Sequence, residues 1–109
     1  MTTCNLVYIT ASDSAEARTI ARALVESRLA ACVNIIGNMN SVYRWEGEIR
    51  EDKEVVVIAK TVDDRVPELV RKVKALHSYE CPCITAVPID GGNPDFLKWI
   101  ERETSAEDR

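Results

Sequence analysis

The sequence predicts an α+β sandwich of βαββαβ order, on three observations. Short runs of apolar and β-branched residues bounded by polar ones mark strands. Two intervening stretches repeat apolar residues at the helical period. A Glu-Gly pair splits the middle of the chain where a hairpin tip belongs.

The first strand is "LVYI" at 6–9. "SDSAE" follows, in which Asp13 suits a helix cap and Glu16, three residues on, completes a capping box. Ala17, Ile20, Ala21 and Leu24 then recur at i, i+3, i+4 and i+7, with Arg18 and Arg22 on the other side. The pattern predicts a helix over 14–29. "CVNII" at 32–36 is the second strand, interrupted at Gly37 and Asn38 as by a bulge or bend. "SVYRWEGEI" alternates, placing Tyr43, Trp45 and Ile49 on one face and Val42, Arg44 and Glu46 on the other, with Glu46-Gly47 as the tip. "EVVVIAK" at 54–60 is almost continuously apolar, so it is expected to be covered on both faces.

A second helix begins after Asp63-Asp64, with Pro67 in its first turn and Val66, Leu69, Val70, Val73 and Leu76 as its apolar stripe. "ITAVPI" is the last strand. "GGNP" supplies a turn, an Asn cap and a first-turn proline for the short helix "PDFLKWIE". The polar tail "RETSAEDR" is expected to fray. Taken in order, these elements make a ferredoxin-like sandwich with a C-terminal helix, in one domain spanning 1–109. Two helices cover one sheet face. The other face, with Tyr43, Trp45 and a string of Val and Ile, is more apolar than a small monomer leaves in water, so an oligomer is expected.

Composition narrows the function. Of 109 residues, 46% are hydrophobic and 29% charged, and the formal net charge is −4. That acidity offers no footprint for a phosphate backbone, which excludes nucleic acid. No apolar run reaches the roughly 18 residues of a membrane span. The first residues lack a basic region followed by a long apolar stretch, so the expected location is the cytoplasm, where thiols stay reduced. No phosphate loop, GxSxG elbow or HExxH pair occurs, and the chain is not expected to be an enzyme.

The densest chemistry is in "LHSYECPCI", which holds the single histidine, His77, and two of the four cysteines, Cys81 and Cys83. Thiolate and imidazole suit Cu(I) and Zn²⁺. Pro82 biases Cys81 towards an extended backbone, in which Cys81 and Cys83 project to one side. His77 could then reach the same ion from the helix end. The spacing His-x₃-Cys-x-Cys is not a standard structural zinc pattern. The competing reading is structural: His77 caps the last carbonyls of its helix, and the cysteines serve as small hydrophobes. Cys32, in "AACVNII", is either a core residue or a further ligand, and Cys4 is incidental. Tyr43, Trp45, Lys60, Tyr79 and Glu80 could form an amphipathic cleft; alternatively the aromatics are core or interface residues and Lys60 snorkels to water.

Five segments, "LAACVNI", "SVYRWEGEI", "KEVVVIAKT", "LHSYECPCI" and "FLKWI", appear in order over most of the chain, and together they resemble the CutA family of divalent-cation tolerance proteins. The resemblance implies a homotrimer joined through sheets and long hairpins, similar in architecture to the PII signalling proteins. It also implies a link to copper and other divalent metals, without a settled enzymatic activity. Cys32 matches the family's cysteine in "AAC", and His77, Tyr79 and Pro82 match its "HxYxxP" core. Trp45 and Lys60 match positions that line a cleft between protomers. Ser78 stands where the family usually has proline, Cys83 where it usually has glutamate, and Cys81 where many members have an apolar residue. The expected metal ligands are His77, Cys81 and Cys83, with Cys32 second. The alternative is a PII-like signalling or scaffold module whose cleft binds a small molecule or a protein.

Overall fold

The structure is a computed structural model and describes residues 2–105. Its elements are β1 (Cys4–Ala11), α1 (Ser14–Glu26), β2 (Cys32–Trp45), β3 (Glu48–Val62), a short 3-10 turn (Asp63–Arg65), α2 (Val66–Leu76), β4 (Ile84–Pro88) and α3 (Pro94–Glu103). The sheet order is β2-β3-β1-β4 and every pairing is antiparallel. This is the ferredoxin-like sandwich that the pattern predicts.

Strand alternation divides the sheet into two faces. Val7, Ile9 and Ala11 of β1 and Val55, Val57 and Ala59 of β3 meet Ile20 and Leu24 of α1 and Leu69 and Val73 of α2 in the main core. Residues of opposite parity point away from these helices. At one end of that second face Cys4 and Val62 pack with Ala31 and with Ile100 of α3, forming a smaller core. Cys4 is therefore not incidental: it is buried, and its Sγ donates to the carbonyl of Leu97 at 3.7 Å. Elsewhere the second face leaves Tyr8, Ile36, Tyr43, Trp45 and Val87 exposed.

Helix α1 starts as expected, with the Asp13 carboxylate accepting from the N–H of Glu16 at 2.8 Å. Glu16 does not close the box on Asp13, however. Its Oε1 accepts from the N–H of Ser12 at 2.9 Å and from the Ser12 hydroxyl at 3.0 Å. The helix ends at Glu26, short of the expected residue 29. Arg28 turns left-handed at φ 60°, and the N–H groups of Arg28 and Leu29 donate to the carbonyls of Val25 and Leu24. That is a Schellman ending with arginine at the position glycine usually takes. Leu29 continues the apolar period only because the reversed chain folds it back into the core.

Strands β2 and β3 extend far beyond their neighbours. β1 pairs with β3 only over Val55–Val62, so 39–45 and 48–54 form a two-stranded arm. A bulge marks its root: Ile36 pairs with Val56 and Met39 with Glu54, so Gly37 and Asn38 oppose Val55 alone. The two-residue tip carries φ 51° at Glu46 and 81° at Gly47, the left-handed pair of a type I′ turn. A two-residue turn pairs Trp45 with Glu48 and Arg44 with Ile49, so Ile49 shares a face with Arg44 and Val42. The expected grouping of Ile49 with Tyr43 and Trp45 is thus corrected: alternation restarts across the tip.

Helix α3 ends in a buried Thr104, whose hydroxyl donates to the carbonyl of Ile100 at 2.8 Å and whose own carbonyl accepts from Arg65 Nε at 2.9 Å. The start of the tail is accordingly anchored, not frayed. Residues 106–109 lie outside the described residues.

Candidate functional site

A cleft of about 550 Å³ lies on the second sheet face, where the arm leaves the body. β1 contributes Thr10, the arm contributes Ser41, Tyr43, Trp45, Arg50 and, at its root, Glu54, and the segment after α2 contributes Tyr79, Glu80, Cys81 and Cys83. Its size is that of small-molecule sites.

The segment is positioned from its first residue. α2 stops at Leu76, and His77 takes an extended backbone (φ −82°, ψ 144°) while its N–H still donates to the carbonyl of Val73 at 2.9 Å. The imidazole is fully buried. Its Nδ1 accepts from the N–H of Tyr79 at 3.1 Å, and a backbone N–H can only donate. The ring proton is therefore on Nε2, which donates to the carbonyl of Thr10 at 2.7 Å. Both nitrogens are engaged within the chain, and the ring lies 4.6 Å from that of Tyr79. A metal ion at either nitrogen would have to displace a backbone hydrogen bond.

Glu16 fixes the same segment from the other side, its Oε2 accepting from the N–H of Ser78 at 2.8 Å. Burial alone would raise the Glu16 carboxyl, but the hydrogen bonds of Ser12 and Ser78 outweigh it and hold the pKa at about 2. The Glu16 carboxylate is 3.8 Å from His77 Nδ1, yet that nitrogen accepts from Tyr79, so the approach is not an ion pair.

Inside the cleft the Tyr79 hydroxyl donates to Glu54 Oε2 at 2.8 Å. Burial first, and the Glu54 carboxylate second, push the phenol far above its ordinary range, so it stays a donor at any physiological pH. On the arm the Tyr43 hydroxyl donates to Asp52, which raises that phenol too. Arg50 faces Glu48 at 3.6 Å. Cys81 and Cys83 are both free and exposed. Partial burial, followed by the charge of Glu54, raises the Cys83 thiol, and a hydrogen bond with Thr85 opposes that rise.

Of the expected metal ligands, the fold therefore brings Cys81 and Cys83 to one cleft, places His77 behind it as a brace, and sets Cys32 apart. Cys32 pairs with Lys60 in the β2–β3 register, and Lys60 Nζ donates to Asn34 Oδ1, toward the opposite end of the sheet from Glu54. Of the expected cleft residues, Tyr43, Trp45, Tyr79 and Glu80 converge and Lys60 does not. Among the described residues no group of three or more His, Cys, Asp or Glu side chains is arranged to hold an ion. The two thiols alone fit a soft ion of low coordination number, with Glu54 and Glu80 as the anionic surroundings.

Sequence reasoning missed Glu54, Arg50, Thr10 and Ser41 as lining residues. The signal for Glu54 was available, because it is the one charged residue bordering an apolar strand on the face that carries Lys60. Arg50 becomes visible once the turn is counted as two residues, which sets it opposite Tyr43.

The sequence model described as "CutA1 divalent ion tolerance protein" matches residues 5–103. The "Divalent-cation tolerance protein CutA" of Thermus thermophilus is 50% identical over 99 residues, covering 91% of this chain and 96% of that one. The mouse "Protein CutA" is 42% identical over 99 residues, but the match takes in only 56% of its length. A solved structure of the Thermus thermophilus protein superposes with a TM-score of 0.92 at 48% identity, covering 94% of this chain and 99% of that one. The Archaeoglobus fulgidus structure, titled a periplasmic divalent cation tolerance protein, gives 0.91 at 44% identity, with 94% and 99% covered. With the family model spanning nearly the whole chain and half of all aligned residues shared with a bacterial relative, this chain belongs to the CutA1 divalent ion tolerance protein family.

Proposed function

We propose that the chain is a single-domain protomer of a cytoplasmic homotrimer that binds copper, or a related metal ion, without catalysing a reaction. The observation that carries the metal site is the presence of two exposed thiols, Cys81 and Cys83, in one cleft with Glu54 and Glu80. Thiolates prefer Cu(I) among the biological copper states, and the two carboxylates outnumber the one cationic side chain that lines the cleft, Arg50. Free exposed thiols also fit a reducing compartment. The trimer is supported by the apolar residues left exposed on the second sheet face and by an arm that, as an isolated two-stranded ribbon, is marginal in water.

An anaerobic Cu(I) titration against a competing chelator tests the site. Wild type is expected to bind one ion per chain, and Cys81→Ser/Cys83→Ser to lose it. Unchanged binding in the double variant overturns the assignment. A second reading, a PII-like module whose cleft holds a small molecule or a protein loop, is favoured by the three aromatic walls, Tyr43, Trp45 and Tyr79. In that case ligand binding survives the double cysteine exchange and fails in Trp45→Ala.

A further inference from the structure

The geometry points to a second ligand class for the same cleft: monosubstituted trivalent organoarsenicals, R–As(OH)₂, held by Cys81 and Cys83 with the organic group lying between the aromatic walls. The inference rests on the placement of both thiols at one site in the reading above, and it departs from that reading in needing no cation.

The number of thiols selects the ligand. Cys4 is buried beneath α3, with its Sγ turned to the carbonyl of Leu97, and Cys32 stands opposite Lys60 toward the other end of the sheet. Two cysteines, not three, therefore line the cleft. Trivalent arsenic forms three bonds. Inorganic arsenous acid has three exchangeable hydroxyls and is best satisfied by three sulfurs. An R–As(OH)₂ species has two, and its third bond is already taken by carbon. Each thiol displaces one hydroxide: two As–O bonds break, two As–S bonds form, and the thiol protons leave in two molecules of water. Arsenic stays trivalent, so no oxidant or reductant is required.

The rest of the cleft suits the carbon substituent. Tyr43, Trp45 and Tyr79 line it, and aromatic side chains take flat rings by stacking or edge contact. Tyr79 is held in place by His77 and by its bond to Glu54, so this wall is set before any ligand arrives. Glu54 and Glu80 oppose anions but place no charge penalty on a neutral arsenous species. The Pro82 ring between the two cysteines limits the conformations over which the thiols must search.

The test uses the full chain, reduced and anaerobic, with phenylarsine oxide, its methyl analogue and arsenite as probes, followed by intact mass after desalting and by Trp45 fluorescence in a Trp99→Phe background. Wild type is expected to retain one phenylarsenic group in exchange for two thiol hydrogens. Cys81→Ser and Cys83→Ser, at exposed positions, each leave a single As–S bond that desalting reverses. Trp45→Ala should weaken phenylarsenic binding about tenfold and leave the methyl compound unchanged. No retained adduct in wild type, an adduct persisting in Cys81→Ser/Cys83→Ser, or arsenite retained as well as the phenyl compound would each overturn the proposal. Cu(I) titrated in parallel separates the two readings. Loss of copper binding with the phenylarsenic adduct retained overturns the metal reading and supports this one, whereas copper bound with no adduct does the reverse.

Discussion

Glu16 and His77 between them hold the segment that builds one wall of the cleft. Glu16 is nearly buried yet ionised, because Ser12 and Ser78 give it donors that water would otherwise supply. Its folded pKa of about 2 lies below the ordinary value of 4.5, so the carboxylate stabilises the fold above that value. The contribution is lost as pH falls from 4.5 through about 2, and it amounts to about 3 kcal/mol at neutral pH. Glu16→Ala is therefore expected to lower stability at pH 7 by roughly 2–3 kcal/mol and to flatten the acid limb of a urea-midpoint against pH curve. An acid limb identical to wild type would contradict this account. Ser78→Pro removes both donors that this residue gives Glu16, its N–H and its hydroxyl. The backbone of His77 is already extended, as a residue before proline must be. With both donors gone, a net loss of about 1 kcal/mol should appear at pH 7 and vanish near pH 2. At this scale the sequence pointed to the segment that lines the cleft, but not to the neighbours of His77. A histidine beside cysteines reads as a ligand, whereas the fold spends both its nitrogens on the backbone of Thr10 and Tyr79, which adjacency in the chain does not reveal.

Among the elements, the arm is where local conformation and function meet, because it carries Tyr43, Trp45 and Arg50 to the cleft. Its register depends on a tip with two left-handed residues, of which only Gly47 is suited to that conformation. Gly47→Ala should cost about 1 kcal/mol, and Glu46→Asn should gain a few tenths to 1 kcal/mol, both read from denaturation midpoints. A neutral outcome at both positions would mean that the tip does not set the register. The bulge at Gly37-Asn38 and the tip at Glu46-Gly47 were legible because glycine marks both. The end of α1 was not, because Arg28 adopts the left-handed cap with no glycine to announce it, and Leu29 keeps the apolar period beyond the helix. The face of Ile49 was misplaced for a related reason: alternation is a property of one strand, and the turn resets its phase.

For the whole molecule, the order of strands and helices was readable because each element buries a stripe of its own period. The distances between site residues were not, because they depend on register. Cys32 was expected beside Cys81 as a ligand and Lys60 beside Tyr79 in the cleft, and only the β2–β3 pairing shows that the two stand opposite each other toward the far end of the sheet from Glu54. The unpaired arm and the exposed Ile36 and Val87, which lie outside the cleft, bear on assembly. Sedimentation equilibrium is expected to give a trimer at micromolar concentration, and Ile36→Asp/Val87→Asp to shift it toward monomer with a lower melting temperature. A wild-type monomer would remove the assembly from the proposed function.

The central claim is that thiols, and not the histidine, form the soft-metal site. Copper K-edge X-ray absorption on the anaerobically loaded Cu(I) protein addresses it directly. The account predicts sulfur scatterers alone in the first shell and a spectrum unchanged in His77→Asn. An imidazole scattering pattern that disappears in His77→Asn, or a first shell without sulfur, would contradict it.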